Sequence, residues 1–203
     1  MPISIASEIA FGAVVFVSTN IDDIFLLAAF FADPRMRTRA IVLGQYAGIA
    51  ALILASALVA LLALAVPDAW VALLGVVPLL LGLQKLWSLR RPRRDEDDDE
   101  PIGAREVQSP GAQMLAVAGV TIANGGDNLG AYIPLFAANP AAVAIHAVTF
   151  LVLTGALCVV ARGAVRNRLW ANAVRRHAPL ALALVLIALG LWILAGAREL
   201  VGL

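Results

Sequence analysis

Apolar residues along this chain come in long blocks separated by short polar interruptions, without the strict alternation of a half-buried strand. The blocks fall at 5–31, 40–66, 70–89, 111–138, 141–161 and 179–201. Each is about twenty residues or longer, the length a helix needs to cross a hydrocarbon layer ~30 Å thick. The interruptions carry turn and charge signals: Ala32, Asp33 and Pro34 with the arginines after them, Pro67 and Asp68, the charged stretch 90–110, Asn139 and Pro140, and the arginine-rich stretch 162–178. The pattern predicts an all-α integral membrane protein of six transmembrane helices.

Composition agrees. Hydrophobic residues make up 62% of the chain and charged ones 14%, which leaves too little polar surface to cover a soluble core. Cys158 is the single cysteine, which excludes a disulfide within the chain and any two-cysteine redox chemistry. The N-terminal stretch lacks a basic region, carries Glu8 and stays apolar too long for a signal peptide, so it is expected to be the first span.

The charges are sorted by place. Arg35, Arg37 and Arg39 follow the first span; Lys85, Arg90, Arg91, Arg93, Arg94 and Arg105 end or follow the third; Arg162, Arg166, Arg168, Arg175 and Arg176 follow the fifth. Positive residues stay cytoplasmic, so loops one, three and five are expected inside and both termini outside. In the third loop a basic run, 90–94, precedes an acidic one, 95–100. With nothing apolar to bury, this loop is expected to be disordered. It reads either as a solvated connector anchored at the headgroups or as a cation-collecting strip, and the sequence leaves both open.

The third loop also divides the chain into two halves, 5–89 and 111–203, within a single transmembrane domain. Asn20 and Asp23 of span one match Asn124 and Asp127 of span four as Asn-x-x-Asp, and Leu81-Gly82-Leu83 of span three matches Leu189-Gly190-Leu191 of span six. Halves with an odd number of spans insert in opposite senses, which predicts two inverted three-helix repeats with a substrate site at their junction.

Three acids, Asp22, Asp23 and Asp127, fall well inside their spans. Each costs ~2.5–3.5 kcal/mol near a helix centre. No span carries an interior basic residue to pair with them, Lys85 being expected at the cytoplasmic end of its helix. Three carboxylates ~5 Å apart repel by about 3 kcal/mol per pair at an effective dielectric near 20, so protons or a bound cation must offset the charge. On a regular helix Asn20 shares a face with Asp23, and Asn124 with Asp127 and Asn128. Ser18 and Thr19 are expected beside Asp22. Gly125 and Gly126 should loosen span four and bare its carbonyls to the site. The spacings Gly44-x-x-x-Gly48 and Gly126-x-x-x-Gly130 would let helices approach closely. Gln45 and His146, ~8–9 Å below opposite surfaces, are expected as inner and outer vestibule contacts, His146 also as a proton carrier. Interfacial residues bonded to backbone are the plain alternative. Tyr46 and Tyr132 read as interface anchors, Tyr46 doubling as a pathway residue.

Residues 18–26, 44–48 and 80–83, and above all the segment 121–134 with its Asn-Gly-Gly-Asp-Asn, resemble the cadmium-resistance transporter (CadD-type) family of the lysine-exporter superfamily. The resemblance covers nearly the whole chain. It implies a six-span exporter that moves cadmium or other divalent metals out of a bacterial cytoplasm, not an enzyme, with metal-site residues carried onto Asn20, Asp22, Asp23, Asn124, Asp127 and Asn128. The expected setting is the inner membrane, with the lipid bilayer and the metal ion as partners, protons as coupling ion, an oligomer allowed, no nucleic acid and no resident cofactor. Ligand chemistry pulls another way: cadmium prefers thiolates, and oxygen donors suit a harder cation such as manganese. A transported ion must also leave, which an oxygen site permits. The rival readings are an amino-acid exporter of the same superfamily, whose cargo brings its own carboxylate; an intramembrane aspartyl protease, whose Gly-x-Gly-Asp signature is missed at Asn124; and a structural membrane protein, which leaves the acids unexplained.

Overall fold

A computed structural model describes residues 4–63, 74–89, 109–165, 180 and 182–195. The turn at Pro67 and Asp68, most of the charged stretch 90–110 including the acidic run, the arginine-rich stretch from 166 onward and the ends of the sixth span lie outside the described residues. Among those described, the regular structure is entirely helical.

Each apolar block yields helix. The helices are α1 (Ile5–Asn20), α2 (Asp23–Ala32), α3 (Thr38–Ala63), α4 (Val76–Ser88), α5 (Pro110–Asn124), α6 (Gly126–Ala138) and α7 (Val143–Ala164), the last preceded by a 3₁₀ turn at Pro140–Ala142. A short apolar helix, α8 (Leu182–Ala195), closes the set. Local chemistry sets several ends. Ser4 and Ser109 cap α1 and α5 by accepting from the backbone N–H groups of Ser7 and Ala112, and Pro110 fills the first turn of α5, where its missing N–H is no loss.

Among the described residues, α3 and the stretch Pro140–Ala164 are each long and apolar enough to cross a membrane, and a third crossing exists if α1 and α2 count as one broken span. Their outer faces suit lipid. Leu54, Leu58, Leu61 and Leu62 of α3 and Val148, Val152 and Val159 of α7 are exposed, an apolar surface that water would not tolerate over such an extent.

The inner faces pack tightly. In α3 the buried stripe runs Ile41, Gln45, Ile49, Leu52 and Ser56, with Gly44 and Gly48 beside it. A methyl on Gly44 would lie 2.6 Å from the Met114 carbonyl oxygen, and one on Gly48 2.6 Å from Thr121 Cβ, so these glycines let α3 lie against α5, as their spacing implied. The second glycine pair does less: Gly126 faces open space and Gly130 meets Leu81. Helix α8 buries Leu182, Leu186, Leu189 and Ile193, one helical face. It crosses α4 at Gly75, Gly82 and Gly190, where a Cβ on Gly190 would stand 2.6 Å from the Gly75 carbonyl. Trp192 of α8 meets Phe11 of α1 with ring centroids 5.1 Å apart. Helix α6 runs through the middle, in contact with α1, α3 and α4.

The first apolar block differs from a single straight helix. It breaks at Ile21–Asp22, and α2 leaves α1 at 60°. The fourth block breaks at Gly125, where the glycine pair anticipated it.

Candidate functional site

Both breaks fall on the Asn-x-x-Asp motifs. Helix α1 ends on Asn20 and α2 begins at Asp23; α5 ends on Asn124 and α6 carries Asp127 in its first turn. The acids therefore sit at helix N-termini, whose free N–H groups and positive dipole end favour a carboxylate, while the preceding helices end nearby in carbonyls. A regular helix, the premise for placing Asn20 and Asp23 on one face, does not exist at that point.

The broken segments are bonded to each other. Asn124 Nδ2 donates to Asp23 Oδ1 at 2.7 Å, and Asn128 Nδ2 donates to Asn20 Oδ1 at 3.1 Å. Asn20 Nδ2 in turn donates to the hydroxyl of Tyr132 at 2.8 Å and to the Phe16 carbonyl at 2.9 Å. Asp23 is 2% exposed. Its second oxygen accepts from Gln45 Nε2 at 3.2 Å, and Thr121 donates to Gln45 Oε1 at 2.6 Å. A buried carboxylate is thus held by two neutral amides, one from α3 and one from the end of α5.

Several expectations are corrected here. Gln45 is not a vestibule residue: the stripe that buries it against α5 aims its amide at Asp23. Tyr132 is not an interface anchor but fully buried on Asn20. Tyr46 is half-buried, its hydroxyl packed where Gly155 of α7 lacks a side chain. Ser18 and Thr19 donate back to the carbonyls of α1, at Val14, Val15 and Phe16, so they serve the end of the helix instead of reaching Asp22.

The larger correction concerns charge. Asp127 has a basic partner: Lys85 Nζ lies 2.5 Å from its Oδ2, with the two side chains 31% and 22% exposed. Lys85 stands in the last turn of α4, and its four-carbon stem carries the ammonium to the break between α5 and α6. Asp22 lies within electrostatic reach of both Lys85 and Asp127, and Asp23 within reach of Asp22. Among the described residues no three His, Cys, Asp or Glu side chains converge closely enough to hold a metal ion by themselves. The acids are spread between amide and ammonium partners instead of forming a carboxylate cage. Two buried acceptors, Asp22 Oδ1 and Asn128 Oδ1, have no hydrogen-bond donor among the described residues, and oxygens of this kind suit a hard or borderline cation.

A second polar cluster lies away from the breaks. His146, fully buried in the first turn of α7, has Nε2 3.2 Å from Glu8 Oε2, within ion-pair distance. Asn139 Nδ2 donates to Glu8 Oε1 at 2.8 Å. Gly12 makes room for the ring: a Cβ there would lie 2.5 Å from Nδ1. His146 is therefore no open vestibule contact. Between this cluster and Asn20 stand the stacked rings of Phe136, Phe150 and Tyr132, each in contact with the next at centroid separations of 4.4–6.1 Å, backed by Phe16.

Glu8 and Lys85 were noted in the sequence but given no part in the site. Glu8 was legible as an acid one turn into an apolar helix. Lys85 carried a sharper signal: of the fifteen Lys and Arg residues in the chain it is the one lysine.

Apolar helices broken where they meet around a buried acid, Asp23, with Asp22 and Asp127 partly exposed beside it, suit a membrane protein. A model of the cadmium resistance transporter family matches residues 16–201, and the chain belongs to that family. The match takes in both break motifs, Lys85 and His146 and leaves out Glu8. No curated protein and no solved structure matches the chain.

Proposed function

We propose that the protein exports divalent metal cations, cadmium foremost, from a bacterial cytoplasm across the inner membrane in exchange for protons. The cation travels by way of Asp22, Asp23 and Asp127 with the amides of Asn20, Asn124 and Asn128. One observation carries this reading: the two break motifs, 104 residues apart in the sequence, meet at a buried carboxylate, Asp23, and leave acceptor oxygens on Asp22 and Asn128 without donors among the described residues. Discontinuous helices that meet around a polar site are how transporters admit irregular backbone at membrane depth. The family match supplies the metal.

Six spans in two inverted halves, with both termini outside, fit the same geometry. Gln113 of α5 accepts from the Arg37 N–H and donates to the Arg35 carbonyl, so the first arginine loop and the start of α5 share one end of the bundle. Glu8, Asn139 and His146 share the other. Under the positive-inside rule the first end is cytoplasmic. Protons would enter at the Glu8–His146 end, and the ring stack would separate them from the acids until the helices rearrange. As for an aspartyl protease, Asp23 and Asp127 are each engaged by donors of their own, amides and an ammonium, where a protease pair would share a proton.

The experiment is cadmium and manganese flux into proteoliposomes made with wild-type protein and with Asp23→Asn. Flux in the wild type that the variant loses supports the reading; equal flux in both removes the acid site from the mechanism.

A further inference from the structure

Lys85 is the one lysine among fifteen basic residues, and where the described arginines stand at loops and helix ends its ammonium is directed at the acid site. Arginine would hold a carboxylate in a bidentate fork that does not let go easily, whereas an ammonium on a flexible stem is a point charge that can swing away. Its partner Asp127 is proposed above as a cargo ligand, and Asp22, another, lies within reach of the same ammonium. Both ends of the pair are partly exposed, so water can receive the ammonium when it leaves. Such an exchange would be blocked for a fully buried ion pair, where separation strands two charges in a low dielectric.

We infer that Lys85 is a tethered internal cation: it neutralises Asp127 when cargo is absent and is displaced from it when a divalent ion binds. The inference rests on the transport reading and assigns Lys85 as a residue that positions charge and sets affinity, not as a ligand. It explains how a site rich in carboxylates stays stable while empty. It also means that each metal ion must compete with an ammonium of high local concentration, because the tether keeps it nearby. The bound ion is then held loosely enough to leave, which tight oxygen coordination by three free carboxylates would oppose.

Two measurements test this. The first uses the wild-type protein, purified in detergent. A water-soluble amine-acylating reagent is applied with and without cadmium, the adduct on the Lys85 peptide is followed by mass spectrometry, and the N-terminal amine serves as internal reference. Acylation of Lys85 should rise severalfold with cadmium, and in Asp127→Asn it should be fast already and insensitive to the ion. The second is cadmium binding by titration calorimetry. Lys85→Gln should bind about tenfold tighter than wild type, since one competing ion pair is removed. Lys85→Arg should bind no tighter than wild type, and Lys85→Gln made in the Asp127→Asn background should leave that variant's affinity unchanged. Unchanged or slower acylation of Lys85 while cadmium is bound, or weaker binding by a folded Lys85→Gln, would overturn the inference and leave the transport reading standing. Absence of any cadmium binding by the wild type would remove both. If Lys85→Gln does not fold, the acylation measurement on the wild type decides alone.

Discussion

Asp23 is the residue on which most of the site converges, and its surroundings show how a buried carboxylate is made tolerable without a cation in direct contact. Gln45 and Asn124 each give it one N–H, and Thr121 fixes the orientation of Gln45. Replacing Gln45 by leucine keeps the volume and removes both bonds, leaving Asp23 Oδ2 short of a donor while the Thr121 hydroxyl keeps the Val117 carbonyl, 3.0 Å away. The expected loss is about 2–4 kcal/mol, read as a lower melting temperature in detergent; an unchanged midpoint would mean that water replaces the amide without penalty. The three acids and their asparagines were legible in the sequence because charge inside an apolar block is conspicuous. Gln45 was misjudged because depth along a helix was used in place of the face it occupies, and Lys85 because the position of its Cα was taken for that of its ammonium. A lysine stem spans most of that difference.

At the scale of elements, the two helix breaks and the two close helix crossings position everything else. The break at Gly125 was readable, since paired glycines weaken a helix. The break at Ile21–Asp22 was not, because that segment holds no glycine or proline. Its cause lies in the tertiary structure: Asn20 is committed to Asn128 and Tyr132, and Asp23 to Gln45 and Asn124. The crossing of α3 and α5 depends on Gly48 and brings Gln45 to Thr121. Gly48→Val should push the helices apart, destabilise the protein by about 1–3 kcal/mol and impair transport with no change to any acid; a variant of wild-type stability and flux would show that the crossing is not needed. Gly12→Ala probes the other end. Its methyl would collide with His146 Nδ1, so it is expected to slow proton-driven flux while leaving cadmium binding at the breaks intact. Calorimetry and flux on one preparation separate the two effects.

For the whole molecule, the proposed sidedness and the proposed proton coupling each have a measurable consequence. With Cys158 replaced by alanine, a cysteine at Arg37 should resist an impermeant thiol reagent in intact cells and one at Pro140 should react; the reverse pattern would invert the topology. A divalent ion needs ionised carboxylates, so its binding must weaken as protons compete for them on going from about pH 8 to pH 5. A pH gradient, acidic on the side of Glu8 and His146, should therefore drive metal toward that side. The most direct test is cadmium flux in proteoliposomes of defined protein orientation, with and without an imposed pH gradient, the membrane potential being clamped at zero. The account predicts flux that scales with the gradient, reverses when the gradient is reversed and is lost in Asp23→Asn and Asp127→Asn. Cadmium flux that is indifferent to the gradient, in a protein whose cadmium binding is equally indifferent to pH, would contradict it.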